Sequence, residues 1–346
     1  MNAPSPTIEL FDSSSEEWDN ALAGLDGATV CHRYGWRAVM ESSLGHTTHY
    51  WAARDEHGVV VGLLPLVRVK SRLFGDYLVS MPFLNDGGPL GDDTIRAALA
   101  THAAEQARSM GVKLLELRVR APLEETVLQT NARKLTVLKE LPESSEELWE
   151  KGIKSKTRSQ VRRPMKEGMT VHFGPDRVDG FYSVFSTTMR DLGTPVLPKR
   201  FFDAIQREMP DAVMFSVVEL EGTPVAAACC LSYGGEMEIT WAGSSREHQR
   251  SAPNMLLYWG VMEEAVKRGV SVFNFGRCTP DSGTHRFKKQ WGSEDLPLPW
   301  LQWSASGTSS TPVPTSAKFR LATSAWQKLP VPLTNLIGPP LSRLIP

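Results

Sequence analysis

The chain has 346 residues, more than one hydrophobic core usually serves, and its length suggests about two domains of ~150 residues each. Apolar residues make up 41% and charged residues 22%, with a net charge of -1, so no global basic field draws the chain to nucleic acid or membrane and any such attraction must be local. The four cysteines, Cys31, Cys229, Cys230 and Cys278, form no CxxC pair and read as buried thiols; neither a metal constellation nor a Ser-His-Asp pattern is expected.

The N-terminal run MNAPSPTIELF has no basic region followed by an apolar one, and no apolar stretch approaches ~20 residues. A cytoplasmic protein is the expectation. Residues 49–67 read as two strands around a His57-Gly58 turn. A helix follows from about Thr94 to Met110, with Asp92 or Asp93 as N-cap and Gly111 as the stop. Then comes a strand, KLLELRVR, containing Arg118. The character changes near Leu141–Ser145, and a capped helix begins.

Residues 151–168 carry seven cations, Lys151, Lys154, Lys156, Arg158, Arg162, Arg163 and Lys166, with one acid, Glu167. Arg158 and Arg162 share a helix face, and Lys154 falls near it. Such a face suits a phosphate or carboxylate. A solvated surface is the competing reading, and a nucleic-acid backbone a third. Residues 214–232 repeat the hairpin pattern around Glu221-Gly222; a helix spans Pro253 to Arg268, and a strand ends in Arg277. Glycine to arginine is seven residues in the first half and eight in the second. The order hairpin, helix, strand, arginine thus occurs twice, which reads as a duplication.

The strand opens the run FNFGRCTPDSGTHRFKKQWG, residues 273–292, where Arg277, Arg286, Lys288 and Lys289 follow an apolar strand. Ser282 offers an N-cap to the RFKK helix. The cations are expected to form one wall of a cleft for an anionic substrate, with salt bridges to Asp281, Glu294 or Asp295 as the alternative. His248 and His285 flank this region. Glu236 and Glu238 alternate along GGEMEITWAGS, and Asp86 lies in the PFLNDGGPLG loop; none of these is singled out as a base. Residues 304–315 are a Ser/Thr/Pro linker, and the tail that follows mixes apolar residues with Lys318, Arg320, Lys328 and Arg343 and no acid. It is expected to pack on the body, with an anionic membrane surface as the alternative.

The runs FNFGR and FKKQWG, together with ITWAGS, PNMLLYWGVMEEA, KSKTRSQVRRPMKEG and the DGGPLG loop, resemble the FemAB family, in particular its PEP-CTERM/exosortase-associated branch. The resemblance spans most of the chain. It implies an α/β protein of two tandem GNAT-like (acyl-CoA N-acyltransferase) domains, each a mixed twisted sheet flanked by helices. The domains would span residues 1–141 and 142–303, followed by a linker and basic amphipathic tail, 304–346. It also implies an acyl or aminoacyl transferase that forms an amide on an amino group of a cell-envelope or exopolysaccharide-related acceptor. Phe287 and Lys288 match the family's pair at the tRNA end and the tetrahedral intermediate. Arg158 and Arg162 match its acceptor-phosphate residues, with Lys154, Arg277 and Arg286 as further candidates.

The long helical hairpin that some relatives use for tRNA is absent, which leaves a tRNA acceptor end in doubt as a partner. The usual Gly-containing CoA loop is also absent; QRSAPN, Gln249 to Asn254, stands in its place, and Asn254 is the candidate there. The donor is therefore left as aminoacyl-tRNA or acyl-CoA, with no bound cofactor. An acyl-CoA-dependent transferase of a small molecule or lipid, and a non-catalytic module for an anionic saccharide or lipid, are the alternatives. Peripheral contact with the inner membrane surface accompanies the lipid-linked acceptor.

Overall fold

The computed structural model describes residues 6–72, 74–124, 126–307 and 317–345. They form two compact units, residues 1–134 with 297–313 and 343–346, and residues 135–296 with 314–342.

The first unit begins with β1 (Thr7–Leu10), α1 (Ser15–Ala23), the short α2 (Trp36–Val39), β2 (Thr47–Arg54), β3 (Val60–Ser71) and β4 (Gly75–Val79). Helix α3 (Asp93–Ser109) then leads to β5 (Leu114–Leu117). Asp92 accepts from the Ile95 N–H at the start of α3, and Gly111 takes φ +64° beyond its end. β2, β3 and β4 are antiparallel, while β4 and β5 run parallel from Tyr77↔Leu114 to Val79↔Glu116. Alanines of α3 (Ala100, Ala103, Ala104, Ala107) pack on Leu64, Leu66 and Leu115 to form the core.

The second unit repeats this plan. It takes the distal part of β6 (Gln129–Glu140), then α4 (Ser145–Glu147), the basic helix α5 (Ser155–Lys166), β7 (Thr170–Phe173), α6 (Val178–Leu192) and α7 (Lys199–Glu208). β8 (Val213–Leu220), β9 (Thr223–Tyr233) and β10 (Glu236–Ser244) are antiparallel. Helix α8 (Pro253–Lys267) carries the chain to β11 (Val272–Cys278), which is parallel to β10 and antiparallel to β6, and α9 (Gly283–Lys289) follows. Glu221 and Gly222 both have positive φ, as do Gly234 and Gly235, so each hairpin closes in two residues. The repeat of hairpin, helix and strand is present in both units; each has a third antiparallel strand, β10 matching the alternation along GGEMEITWAGS and β4 carrying no such signal in the sequence.

The division differs from a boundary at 141. Residues 135–140 of β6 pair with β11 and so belong to the second unit. β12 (Glu294–Ser304) pairs with β5 through Leu301↔Leu117 to Ser304↔Leu114, which carries residues 297–304 into the first unit. Most of the expected Ser/Thr/Pro linker lies outside the described residues. The tail forms α10 (Ala317–Trp326) and α11 (Val331–Ser342), and α11 packs on α6. No described helix is long and apolar enough to cross a membrane.

Candidate active site

The second unit opens where its two parallel strands part. The β10–β11 ladder runs only from Glu236↔Val272 to Glu238↔Asn274, although β10 continues to Ser244 and β11 to Cys278. Both strands are irregular just past the vertex. β10 shifts register between Ile239 and Trp241, and the hydroxyl of the intervening Thr240 is buried without a hydrogen-bond partner among the described residues. β11 shifts between Asn274 and Arg277, and Gly276 adopts φ +73°, a left-handed conformation that glycine takes without strain.

Asn274 organises the vertex. Its side chain is fully buried, and its Nδ2 donates to Glu236 (2.8 Å) and Glu238 (3.2 Å). Its Oδ1 accepts from the Thr136 hydroxyl (2.6 Å) and from the Gly276 N–H (2.8 Å). The last bond holds the bulge. The carbonyls of Gly276 and Arg277 then receive the ammonium of Lys288, at 2.5 and 3.1 Å. Lys288 is 3% exposed, on α9, whose first turn Ser282 caps by accepting from the His285 N–H. Burial brings its pKa down to about 8, against the opposing pull of Cys278 and Glu238. A lysine held this way is still mostly charged at neutral pH and can release its proton nearby. Beside it, Phe287 is half-buried, edge-on to Tyr258 at 4.9 Å.

The four cations of this segment do not make one wall. Residues 286 and 288 lie on opposite sides of a helix. Lys288 points inward, while Arg286 is exposed and donates to the Asp281 carbonyl (2.6 Å). Lys289 bonds to the Ser293 carbonyl (2.6 Å) and pairs with Asp295 (3.1 Å), and Arg277 is exposed on β11. His285 is taken up by the Asp281 N–H and Asp295, and His248 by the Ser245 hydroxyl. Asn254 stands half-buried in the first turn of α8, behind Pro253 at its first position and Ala252 at φ +56°. A non-glycine residue held there is strained backbone at the head of a helix.

In the basic helix the two arginines serve different ends. Arg158 Nη1 donates to the carbonyls of Trp149, Glu150 and Ile153 at 2.8–2.9 Å, closing the turn before α5. Half-buried Arg158, expected to meet an acceptor phosphate, thus has one guanidinium nitrogen engaged by the carbonyls of that turn. Arg162 is exposed and lies over the Trp149 ring at 5.2 Å; Lys154 is exposed at the N-cap position. We therefore expect Arg158→Gln to lower the melting temperature by several degrees, since three bonds of about 1 kcal/mol each are lost. Arg162→Gln should leave it within about a degree or two. Differential scanning calorimetry of the two variants checks this.

The first unit holds a cavity of about 260 Å³ lined by residues that include Asp26, His32, Asp86, Arg96, Arg118 and Arg120. Asp86 is paired there with Arg120 at 2.6 Å. Buried His32, whose burial lowers its pKa to about 4, bonds to the Gly88 carbonyl. Asp86 is legible in the sequence as an acid of the PFLNDGGPLG loop, whereas His32, a lone histidine, gives no signal.

Residues 155–289 match the family described as acetyltransferase (GNAT) domain. The chain has a GNAT-like α/β fold. It is 29% identical over 131 residues to the UDP-N-acetylmuramoylpentapeptide-lysine N(6)-alanyltransferase of Weissella viridescens; the match covers 37% of this chain and 39% of that protein, so the chain spans about two fifths of the length of this relative. Among solved structures it is similar to FemX, with a TM-score of 0.66 at 14% identity, covering 86% of this chain and 97% of that one. It is also similar to the C-terminal domain of a proposed lysylphosphatidylglycerol synthetase from Agrobacterium fabrum, with a TM-score of 0.58 at 15% identity, covering 84% and 92%. The GNAT-like α/β fold that the resemblance to the FemAB family implied is thus present.

Proposed function

We propose that this protein is an acyl or aminoacyl transferase that forms an amide on an amino group of a cell-envelope acceptor, with the chemistry in the second unit around Lys288. One observation carries the reading: a nearly buried ammonium, its pKa brought to about 8 by burial, fixed by two carbonyls at the parting of two parallel strands. The alanyltransferase relative, whose name specifies transfer to a lysine N(6) amine, supplies the reaction class.

In the proposed step the neutral acceptor amine attacks the donor carbonyl. A C–N bond forms, the ester C–O or thioester C–S bond breaks, and the amine proton leaves to a base or water while the leaving group takes one up. Lys288 stabilises the oxyanion of the tetrahedral intermediate and can pass its proton to the leaving oxygen or sulfur. Glu238, buried at the vertex and acting on Lys288 through its charge, is the carboxylate assigned in this proposal to receive the amine proton. Phe287 offers a half-exposed aromatic edge to the donor. Arg162 and Lys154 supply cations for an acceptor phosphate. The donor is an aminoacyl-tRNA or an acyl-CoA, both cytoplasmic, and we place the reaction there. The finer assignment to the exosortase-associated branch, with an exopolysaccharide-related acceptor, rests on the FNFGR and FKKQWG runs.

The test is label transfer from alanyl-tRNA and from acetyl-CoA to a lysine-containing UDP-linked muropeptide, across pH. Transfer from either donor is expected, with a falling limb of kcat near pH 8 as Lys288 loses its proton. A rate that climbs through that range without a falling limb would show that the charged form of Lys288 is not required. Failure of both donors across a panel of amine acceptors would leave a binding module.

A further inference from the structure

The C-terminal helix α11 is inverted with respect to an ordinary surface helix. The residues it turns inward are small or polar: Thr334, Gly338 and Ser342, spaced four apart. Gly338 lies against Val196, where an added Cβ would come within 3.1 Å of the Val196 nitrogen, and the Ser342 hydroxyl donates to the Val196 carbonyl at 2.9 Å. Outward it presents Leu333, Leu336 and Ile337, at 40, 72 and 36% exposure, and its twelve residues include no charged side chain. A helix on a water-facing surface normally buries its leucines and exposes its polar residues.

The preceding helix also exposes a leucine. Leu321 of α10 is 73% exposed. The two helices are fixed to the unit rather than loose. Gln327 donates to the Asp191 carbonyl, Arg190 donates to the Leu329 carbonyl, and Thr323 packs on Gly193. Leu192, next to that contact, is 59% exposed as well. The charge is one-sided too. After Asp295 the sequence has no acidic residue, while Lys318, Arg320, Lys328 and Arg343 are distributed through the tail. Exposed leucines in a tail whose sequence carries cations and no acid suit a surface that is apolar beneath and anionic on top.

We propose that the outer face of α11, together with Leu321, docks on an anionic lipid surface. The helix lies in the interface and does not cross it, because twelve residues rise only about 18 Å, less than the hydrocarbon thickness. The proposal does not depend on the transfer chemistry, and lipid partition is read without donor or acceptor.

The experiment is co-sedimentation of the full chain with phosphatidylglycerol–phosphatidylcholine vesicles at low and high salt. The wild type should partition to the mixed vesicles and weaken with salt. Leu321→Glu combined with Leu336→Glu should lower partition by ~10-fold or more. Should that pair disturb folding by its melting curve, Leu321→Ser with Leu336→Ser removes the same apolar contacts without adding charge and should act in the same direction. Equal partition of wild type and variants would overturn the proposal. So would salt-insensitive binding to phosphatidylcholine alone, absence of partition, or a dimer that dissociates on the Leu336 change while ignoring vesicles.

Discussion

Replacing Lys288 with Ala is expected to lower amide transfer by about 10²–10³-fold, the usual cost of losing one oxyanion donor, while the protein remains folded. The second half of that expectation follows from the same burial. Removing the ammonium leaves the Gly276 and Arg277 carbonyls without this donor, which destabilises. It also removes the cost of keeping a charge out of water. The two effects oppose each other, and the net change should stay within about 2 kcal/mol. Their pH dependence separates them. The folded-state pKa of about 8 lies below the unfolded value, so below pH 8 both states hold the proton and the fold bears the whole cost, on the order of 3 kcal/mol. Between about 8 and about 10.5 the native state has given up its proton while the unfolded chain still binds one, so wild-type stability rises with pH relative to the variant. Chemical denaturation of both proteins across that window measures it. A stability difference that does not change with pH would show that Lys288 titrates normally.

The larger loss of stability should come from Asn274. Asn274→Ala takes away the donor shared by Glu236 and Glu238, the acceptor of Thr136, and the acceptor that holds the Gly276 N–H in the bulge. Each buried polar group that loses a hydrogen bond costs about 1–3 kcal/mol, more when charged. A total of about 3–5 kcal/mol is expected, lowering the melting temperature of the second unit by about 10 °C. Asn274→Asp tests the cause. It places a third carboxyl against two others, so the loss should be at least as great at neutral pH and should shrink on mild acidification as the cluster takes up a proton. If Asn274→Ala melts like the wild type, the vertex is not organised by this side chain. Because the bulge also presents the carbonyls that hold Lys288, the same variant should lose activity at temperatures where it is still folded.

The architecture was legible because each half carries strong local signals. Two-residue glycine turns, the Asp92 and Ser282 caps, and Gly111 and Gly269 behind their helices all have a mechanism that acts within a few residues. The parting of β10 and β11 had no such signal, since strand pairing over three residues and divergence thereafter is a property of the sheet. The RFKK run shows the same limit from the other side. Its charges are visible in the sequence, but whether a cation faces water or carbonyls depends on the helical phase of α9 and on a bulge in the preceding strand, β11. Arg158 was read as a surface ligand for a related reason: the carbonyls it binds belong to an irregular turn that composition does not mark. FKKQWG itself is largely packing, with Trp291 fully buried in the core and the Gln290 carbonyl accepting from Thr157 of α5. The tail reads only as amphipathic in the sequence, because which face of α11 turns inward is set by Gly338 and Ser342 against Val196, residues that a hydropathy pattern passes over.

The most direct measurement is single-turnover transfer of labelled alanine from alanyl-tRNA, and of labelled acetate from acetyl-CoA, to an amine acceptor, run side by side with wild type and Lys288→Ala. The wild type is expected to transfer from one of these donors, and the variant to lose about two orders of magnitude or more while donor binding persists. Equal single-turnover rates for the two proteins would contradict it.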